Sequence, residues 1–398
     1  MEGCLFAERY RAFATRRREA GQWRVLRPVG PRRGSRIRVG ETWLVNFASN
    51  DYLGLADHAA LRQRAAEWLE RWGAGSGASR LVCGDLEPYS RIEERLARLK
   101  GQEAALLLNS GFQANATLLP ALLDRQILGE EPLVFSDRLN HASMHHGCLA
   151  AGVSQQRYRH NDLDHLESLL RAHQHRGRFR FILSETVFSM DGDRADLPGL
   201  FYLRQRYGAF LYLDEAHATG VLGPGGAGLA AASGERADLV MGTFSKALGG
   251  FGAYAACAAS LRDYLINRCS GLIYATALPP AVLGAVDAAL DLLPGLEGAR
   301  CRLQEGARRL RESLRGAGLD TGASSTQIVP VRVGEEETAL ALARDLEAEG
   351  LLVVAVRPPT VPNGGSRLRL SLSAAHEKEA WRQVAEVLPV LARARGVI

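Results

Sequence analysis

The middle of the chain alternates short apolar runs with longer stretches in which apolar residues recur every three or four positions. The runs stand at 104–108, 132–135, 179–183, 210–213, 239–241 and 254–257. Amphipathic stretches intervene at 87–100, 112–123, 163–173, 197–207 and 261–268. This alternation predicts strands joined by crossover helices in an α/β sheet. Several runs are apolar throughout, as expected of strands buried on both faces. Pro279-Pro280 marks a boundary, followed by an alanine- and leucine-rich helical region to about residue 316. Strands at 328–333, 351–356 and 367–372, with helices at 336–349 and 377–391, then predict a smaller α+β domain. The expected organisation is an N-terminal arm (1–58), a large α/β domain (59–285) and a small C-terminal α+β domain (286–398).

Composition narrows the class. With 398 residues, 46% of them hydrophobic, the chain can bury a large core and build a second domain. Its 23% of charged residues is an ordinary globular share, which argues against global disorder. No apolar run approaches the ~18 residues of a membrane span, so no membrane partner is expected. The net charge of +5 is concentrated early, where Arg16, Arg17, Arg18, Arg24, Arg27, Arg32, Arg33, Arg36 and Arg38 crowd together. No aromatic interleaving or nucleic-acid module accompanies them, so an anionic small substrate or a solvated face is expected rather than nucleic acid. The six cysteines form no C-x-x-C pair and suit a reducing cytoplasm. The start of the chain lacks the apolar segment of a secretory signal, and Glu2, Glu8 and Glu19 argue against a transit peptide.

Charge usage points to the chemistry. Of 49 lysine and arginine residues only Lys100, Lys246 and Lys378 are lysines. A lysine amine can lose its proton and attack a carbonyl, which arginine cannot do. Lys100 and Lys378 lie in charged, helix-like surroundings and are expected at the surface. Lys246 sits in Gly242-Thr243-Phe244-Ser245-Lys246-Ala247-Leu248-Gly249-Gly250, among small and hydroxylated residues, as a Schiff-base lysine in a tight pocket would. Asp214 ends the apolar run at 210–213, where α/β sheets place ligand-binding groups. An aspartate for a pyridinium nitrogen and a lysine for a Schiff base together describe pyridoxal 5'-phosphate.

That cofactor needs a phosphate cradle. Asn109-Ser110-Gly111-Phe112-Gln113 follows a strand and opens a helix, where unpaired backbone N–H groups suit a phosphate and Gly111 permits close approach. Thr243 and Ser245 could add hydroxyl donors. His141, just after another strand end, could stack on a cofactor ring. Its i, i+4 spacing to His145 resembles a helical zinc pair, but no glutamate follows it, so no metal is expected. Asp191, Asp193 and Asp196 mimic a calcium loop without its glycine and final glutamate. The run Gly73-Ala74-Gly75-Ser76-Gly77 follows a helix-like stretch instead of a strand, against a dinucleotide site.

Asn46-Phe47-Ala48-Ser49-Asn50-Asp51-Tyr52-Leu53-Gly54-Leu55, the His141 segment, 188–193, 214–220 and 243–249 together resemble the α-oxoamine synthases. These fold-type I pyridoxal-phosphate enzymes condense an amino acid with an acyl thioester and release CO2. The resemblance covers nearly the whole chain, from about Arg24 onward. It implies a homodimer with a large, mixed, mostly parallel sheet. Lys246 would hold the cofactor and move the α-proton, Asp214 would pair with the pyridine nitrogen, and His141 would stack on the ring. Ser189 and His217 would lie near the phenolic oxygen. Gly111, Phe112 and Thr243, with Thr276 of the partner subunit, would serve the phosphate. Asn50 and Arg369 would hold the amino-acid carboxylate, and Arg24 and Thr360 the acyl substrate. Arg357 is a second candidate at the acyl end. Within the family, Arg357-Pro358-Pro359-Thr360-Val361-Pro362 and the following segment to His376 resemble members that use L-alanine and a pimeloyl thioester. A glycine- or serine-using member, an aminotransferase and a non-catalytic subunit are the rival readings. Asn140, Ala218 and the arginine-rich stretch 31–38 depart from the family pattern.

Overall fold

The computed structural model describes residues 5–398. Contacts divide the chain into two compact units. One comprises Asn50–Ser189 and Asp193–Gln304; the other comprises the described residues up to Ser49, Met190–Gly192 and Glu305–Ile398.

The first unit is built on a seven-stranded sheet. Its strands, in chain order, are β1 (Ala104–Leu108), β2 (Leu133–Asp137), β3 (Gln155–Tyr158), β4 (Arg180–Glu185), β5 (Ala209–Asp214), β6 (Leu239–Thr243) and β7 (Ala253–Cys257). Their order across the sheet is β1-β7-β6-β5-β4-β2-β3. The pairs β2–β3, β2–β4, β4–β5 and β5–β6 are parallel, while β7 runs antiparallel to both β6 and β1. The sheet is therefore mixed and mostly parallel, as expected. Alternation along each strand feeds two cores. Phe181, Leu183, Tyr212, Leu239 and Met241 pack on one face with Leu118, Leu119 and Met144. Ile182, Leu211, Leu213 and Val240 pack on the other with Leu166, Leu200 and Phe201.

All six apolar runs are strands, and the helices between them lie within a few residues of expectation. The polar edge strand β3 was not expected. Its sequence, Gln-Gln-Arg-Tyr, lacks the apolar signature because only Tyr158 is buried. Lys100 also departs from expectation. It is buried, and its ammonium donates to Glu215 Oε2 at 2.8 Å, Thr219 Oγ1 at 3.0 Å and the Ala227 carbonyl at 2.6 Å. Burial works against its charge, but Glu215 outweighs that and lifts its pKa. A helix-like, charged sequence context says which residues flank Lys100 and not what the sheet brings over it.

In the second unit a four-stranded sheet joins Arg32–Arg33, Arg36–Val39, Thr42–Asn46 and Leu351–Leu352, and a three-stranded sheet orders Ile328–Gly334, Ser366–Ser371 and Val354–Val356. The single strand expected at 351–356 is thus two short strands in different sheets. The N-terminal segment, for which no elements were expected beyond an arm, supplies three of them and a helix at Leu5–Glu19 that buries none of its residues. The helices Glu297–Gly316 and Lys378–Ala394 meet where Gly306 has no room for a Cβ against Trp381.

Candidate active site

Strand period decides which side chains reach one end of the large sheet. In β5, Asp214 shares a face with Tyr212; in β4, Glu185 shares it with Phe181 and Leu183; in β6, Thr243 shares it with Leu239 and Met241. Glu185 and Asp214 are register partners, and Asp214 is paired with Met241. All three polar residues end their parallel strands, at the carboxyl edge where open α/β sheets bind ligands. A cavity of about 200 Å³ opens there, lined among others by Gly111, His141, Glu185, Asp214, Thr243 and Lys246.

Asp214 is held by two donors. Its Oδ2 accepts from Asn115 Nδ2 at 2.9 Å and its Oδ1 from the Ala216 N–H at 2.9 Å. Asn115 also donates to Ser143 Oγ at 2.9 Å and accepts from the Tyr212 hydroxyl at 2.6 Å. Ser143 Oγ lies 2.6 Å from His141 Nδ1, and the Ser143 N–H donates to the same nitrogen at 3.2 Å. Nδ1 is therefore an acceptor, which places the proton of neutral His141 on Nε2. Burial pulls the His141 pKa below its usual value, with Asp214 opposing and Lys246 and His145 reinforcing. The chain from Asp214 to His141 depends on two helices lying close. A Cβ at Gly147 would collide with the Asn115 carbonyl and Leu119, so only glycine lets Ala142–Ala150 press on Gly111–Leu122.

The start of the helix Gly111–Leu122 also lines the cavity. Ser110 caps it by accepting from the Gln113 N–H at 3.2 Å. A Cβ on Gly111 would point at Thr243, 3.7 Å away, into the space between helix and strand. Thr243 Oγ1 donates to the Gly252 carbonyl at 2.8 Å and accepts from the Ser245 N–H at 3.1 Å. Lys246, half-buried, follows on the turn after β6. The site thus combines an amine, a carboxylate fixed by two donors, an imidazole and a helix start with adjacent hydroxyls.

Of the expected residues, Gly111, Phe112, His141, Asp214, His217, Thr243, Ser245 and Lys246 line this cavity. His217 Nδ1 is 2.6 Å from the buried Tyr52 hydroxyl, which donates to Asn50 Oδ1 at 3.1 Å. Asn50 is thereby tied to the site through Tyr52. Ser189 is buried but is not among the lining residues. Thr276 is exposed and its carbonyl accepts from Asn109 Nδ2 at 2.7 Å. Arg24, Arg357, Thr360 and Arg369 belong to the other unit. There Arg24 donates to Thr360 Oγ1 at 3.1 Å and Arg357 donates to the Gly21 carbonyl, so the two arginines proposed for the acyl end share one surface. Arg369 is buried and donates to Ser371 Oγ at 2.6 Å.

Sequence reasoning missed Asn115, Ser143, Tyr52 and Glu185. Glu185 had a readable signal, since it ends an apolar run as Asp214 does. Its carboxyl is buried, one oxygen has no hydrogen-bond partner, and it faces the cavity. Burial and then the neighbouring Asp214 push its pKa well above the usual carboxylate range, against Lys246 and the His141 backbone N–H.

The chain matches the aminotransferase class I and II family over residues 42–388 and belongs to it. Two relatives named 8-amino-7-oxononanoate synthase are close in sequence. That of Gluconacetobacter diazotrophicus is 58% identical over 94% of this chain and 94% of its own. That of Geobacter sulfurreducens is 49% identical over 96% of this chain and 97% of its own. Among solved structures, a Sphingomonas wittichii serine palmitoyltransferase has a TM-score of 0.91 at 26% identity and covers 100% of both chains. The Francisella tularensis 8-amino-7-oxononanoate synthase has a TM-score of 0.76 at 25% identity over 89% of this chain and 99% of that one. The fold is that of the fold-type I pyridoxal-phosphate enzymes, and the donor set around Lys246 and Asp214 fits that cofactor.

Proposed function

We propose that this enzyme condenses L-alanine with a pimeloyl thioester, giving 8-amino-7-oxononanoate, CO2 and the released thiol carrier, a step of biotin synthesis. The observation that carries this reading is the convergence of Lys246, Asp214, His141 and the helix start at Gly111 on one pocket. Pyridoxal phosphate supplies, when bound, a conjugated ring that accepts the electron pair left by breaking a bond to an amino acid's Cα. Lys246 Nζ would hold the cofactor, then take the α-proton of alanine and return a proton at the end of the cycle. Asp214 would keep a proton on the pyridine nitrogen. His141 would cover one side of the ring, its orientation fixed by Ser143. Ser189 and His217 would serve the phenolic oxygen. Gly111, Phe112 and Thr243, with Thr276 of the partner subunit, would bind the phosphate at the helix N-terminus.

Asn50 and Arg369 would orient the alanine carboxylate that leaves as CO2. Arg24, supported by Thr360 and with Arg357 beside the same segment, would meet the terminal carboxylate of the acyl chain by charge-assisted hydrogen bonds. The acyl group would ride on CoA or on a carrier protein. A homodimer in the cytoplasm completes the proposal; no helix among the described residues is long and apolar enough to cross a membrane.

Backbone likeness alone favours a serine-using enzyme. Identity in side chains, which is what reads a substrate, favours the alanine-using one. A panel decides between them: L-alanine, glycine and L-serine against pimeloyl-, acetyl- and palmitoyl-CoA, with CO2 measured. The alanine and pimeloyl pair is expected to give the highest kcat/KM. Preference for palmitoyl-CoA with serine would overturn the assignment. One methyl is worth only ~1–3 kcal/mol in a pocket, so some glycine turnover is compatible with it.

A further inference from the structure

His160 lies outside the cavity, on the segment after β3, yet it touches both loops that frame the site. Its Nδ1 is 3.1 Å from Asp137 Oδ1 and 3.2 Å from Oδ2, and its Nε2 is 2.8 Å from Asp193 Oδ2. Asp137 ends β2 and shapes the turn to His141, accepting from the Leu139 N–H at 2.8 Å while its own carbonyl accepts from Asn140 at 3.1 Å. Asp193 closes the loop that carries Ser189, because its carbonyl accepts from the Phe188 N–H at 3.0 Å. The next residue repeats the bridge. The Asn161 N–H donates to Asp137 Oδ2 at 2.9 Å and its amide to Asp193 Oδ2 at 2.7 Å. The Phe188 ring meets the imidazole edge-on at 4.4 Å between centroids.

Asp137 and Asp193 are both buried, at 0% and 5% exposure. A neutral imidazole has one N–H and one lone pair, so it could satisfy one aspartate only by turning its lone pair on the other. An imidazolium donates to both. We propose that His160, held doubly protonated, is a positioning residue that fixes His141 and Ser189 relative to one another by bolting Asp137 to Asp193. The inference rests on the proposed roles of His141 and Ser189. The charges that face the ring are Asp137 from β2 and Asp193 from the Ser189 loop. On its own segment Arg159 and Asp162 are paired with each other at 2.7 Å. Burial of the ring works against its charge, but the two aspartates overcome that and raise its pKa to about 10.

The experiment compares wild-type holoenzyme with His160→Gln, which keeps one donor but not the charge. Cofactor affinity, read from the visible absorbance on titration with pyridoxal phosphate, should change by less than about fivefold, since the phosphate cradle and Lys246 are untouched. The pH at which that absorbance titrates should shift, and kcat should fall about ten- to a hundredfold with KM little changed, as misplacement near a reacting centre produces. A folded variant with an unshifted titration and kcat within twofold of wild type would overturn the proposal. If the variant does not fold, neutron diffraction on wild-type crystals at pH 8 decides: deuterons on both ring nitrogens support it, and one overturns it. A wild type that takes up no pyridoxal phosphate would instead refute the functional reading on which this rests.

Discussion

Asn115 and Asp214 are joined by a 2.9 Å hydrogen bond from the middle of a helix to the end of a central strand, and the same amide reaches on to Ser143 and so to His141. One side chain therefore sets both the carboxylate and the imidazole of the site. Asn115→Leu keeps the branched side-chain outline but removes both donors and the acceptor for the Tyr212 hydroxyl. A hydrogen bond to a charged group is worth ~1.5–3 kcal/mol, so kcat/KM should fall about ten- to a hundredfold while the protein still binds pyridoxal phosphate. Turnover within threefold of wild type would show that Asp214 and His141 do not depend on Asn115.

The neighbouring carboxyls Asp214 and Glu185 should respond oppositely to the same substitution. Burial and then Asp214 raise the Glu185 pKa well above the usual carboxylate range, which favours its protonated form, and glutamine closely mimics a protonated glutamate. Glu185→Gln should retain activity within about threefold, whereas Asp214→Asn should lose several hundredfold or more, from the ~3–5 kcal/mol of a lost buried charge partner. Steady-state kinetics on the two variants test this. Losses as large in Glu185→Gln as in Asp214→Asn would contradict a protonated Glu185.

The Lys100–Glu215 pair makes a prediction about stability. Lys100→Met leaves a buried carboxylate without its cation and should cost ~3–5 kcal/mol in urea unfolding. Adding Glu215→Gln removes the unpaired charge and should recover most of that loss. A surface lysine would show neither effect.

Two histidines, His376 and His160, give opposite pH limits. His376 donates to the Asn46 carbonyl and accepts from the Ser373 N–H, and burial lowers its pKa to about 4. Its neutral form is the one the fold favours, so its contribution is full above the unfolded value near 6.5 and is lost as pH falls toward 4. His160, with a folded pKa of about 10, contributes fully below 6.5 and loses that as pH rises toward 10. His376 is worth on the order of 3 kcal/mol across its window, and the part-exposed His160, after solvent screening, less than the roughly 5 kcal/mol its shift alone would give. Denaturant unfolding from pH 4.5 to 9.5 should show the acid slope reduced in His376→Gln and the alkaline slope reduced in His160→Gln.

Much of the fold and of the cavity was legible. Strands buried on both faces leave apolar runs, and a carboxylate at the end of such a run, as at Asp214, marks the sheet's binding edge. Lys246 stood out because the chain otherwise uses arginine. What was not legible depends on residues brought together only by packing. Asn115 reads as one polar position in an apolar helix until the sheet sets Asp214 beside it. Lys100 reads as a surface charge until Glu215 and Thr219 fold over it. Strand β3 is an edge strand of polar sequence whose partner, β2, supplies the apolar surface.

The central claim is that Lys246 supports a condensation in which alanine loses its own carboxylate. Wild-type enzyme supplied with pyridoxal phosphate, pimeloyl-CoA and L-alanine labelled with ¹³C at the carboxyl carbon tests it directly by mass spectrometry. The label should leave wholly as CO2, the 8-amino-7-oxononanoate product should carry none, and Lys246→Ala should form neither. Label retained in the product, or undiminished turnover by Lys246→Ala, would contradict the account.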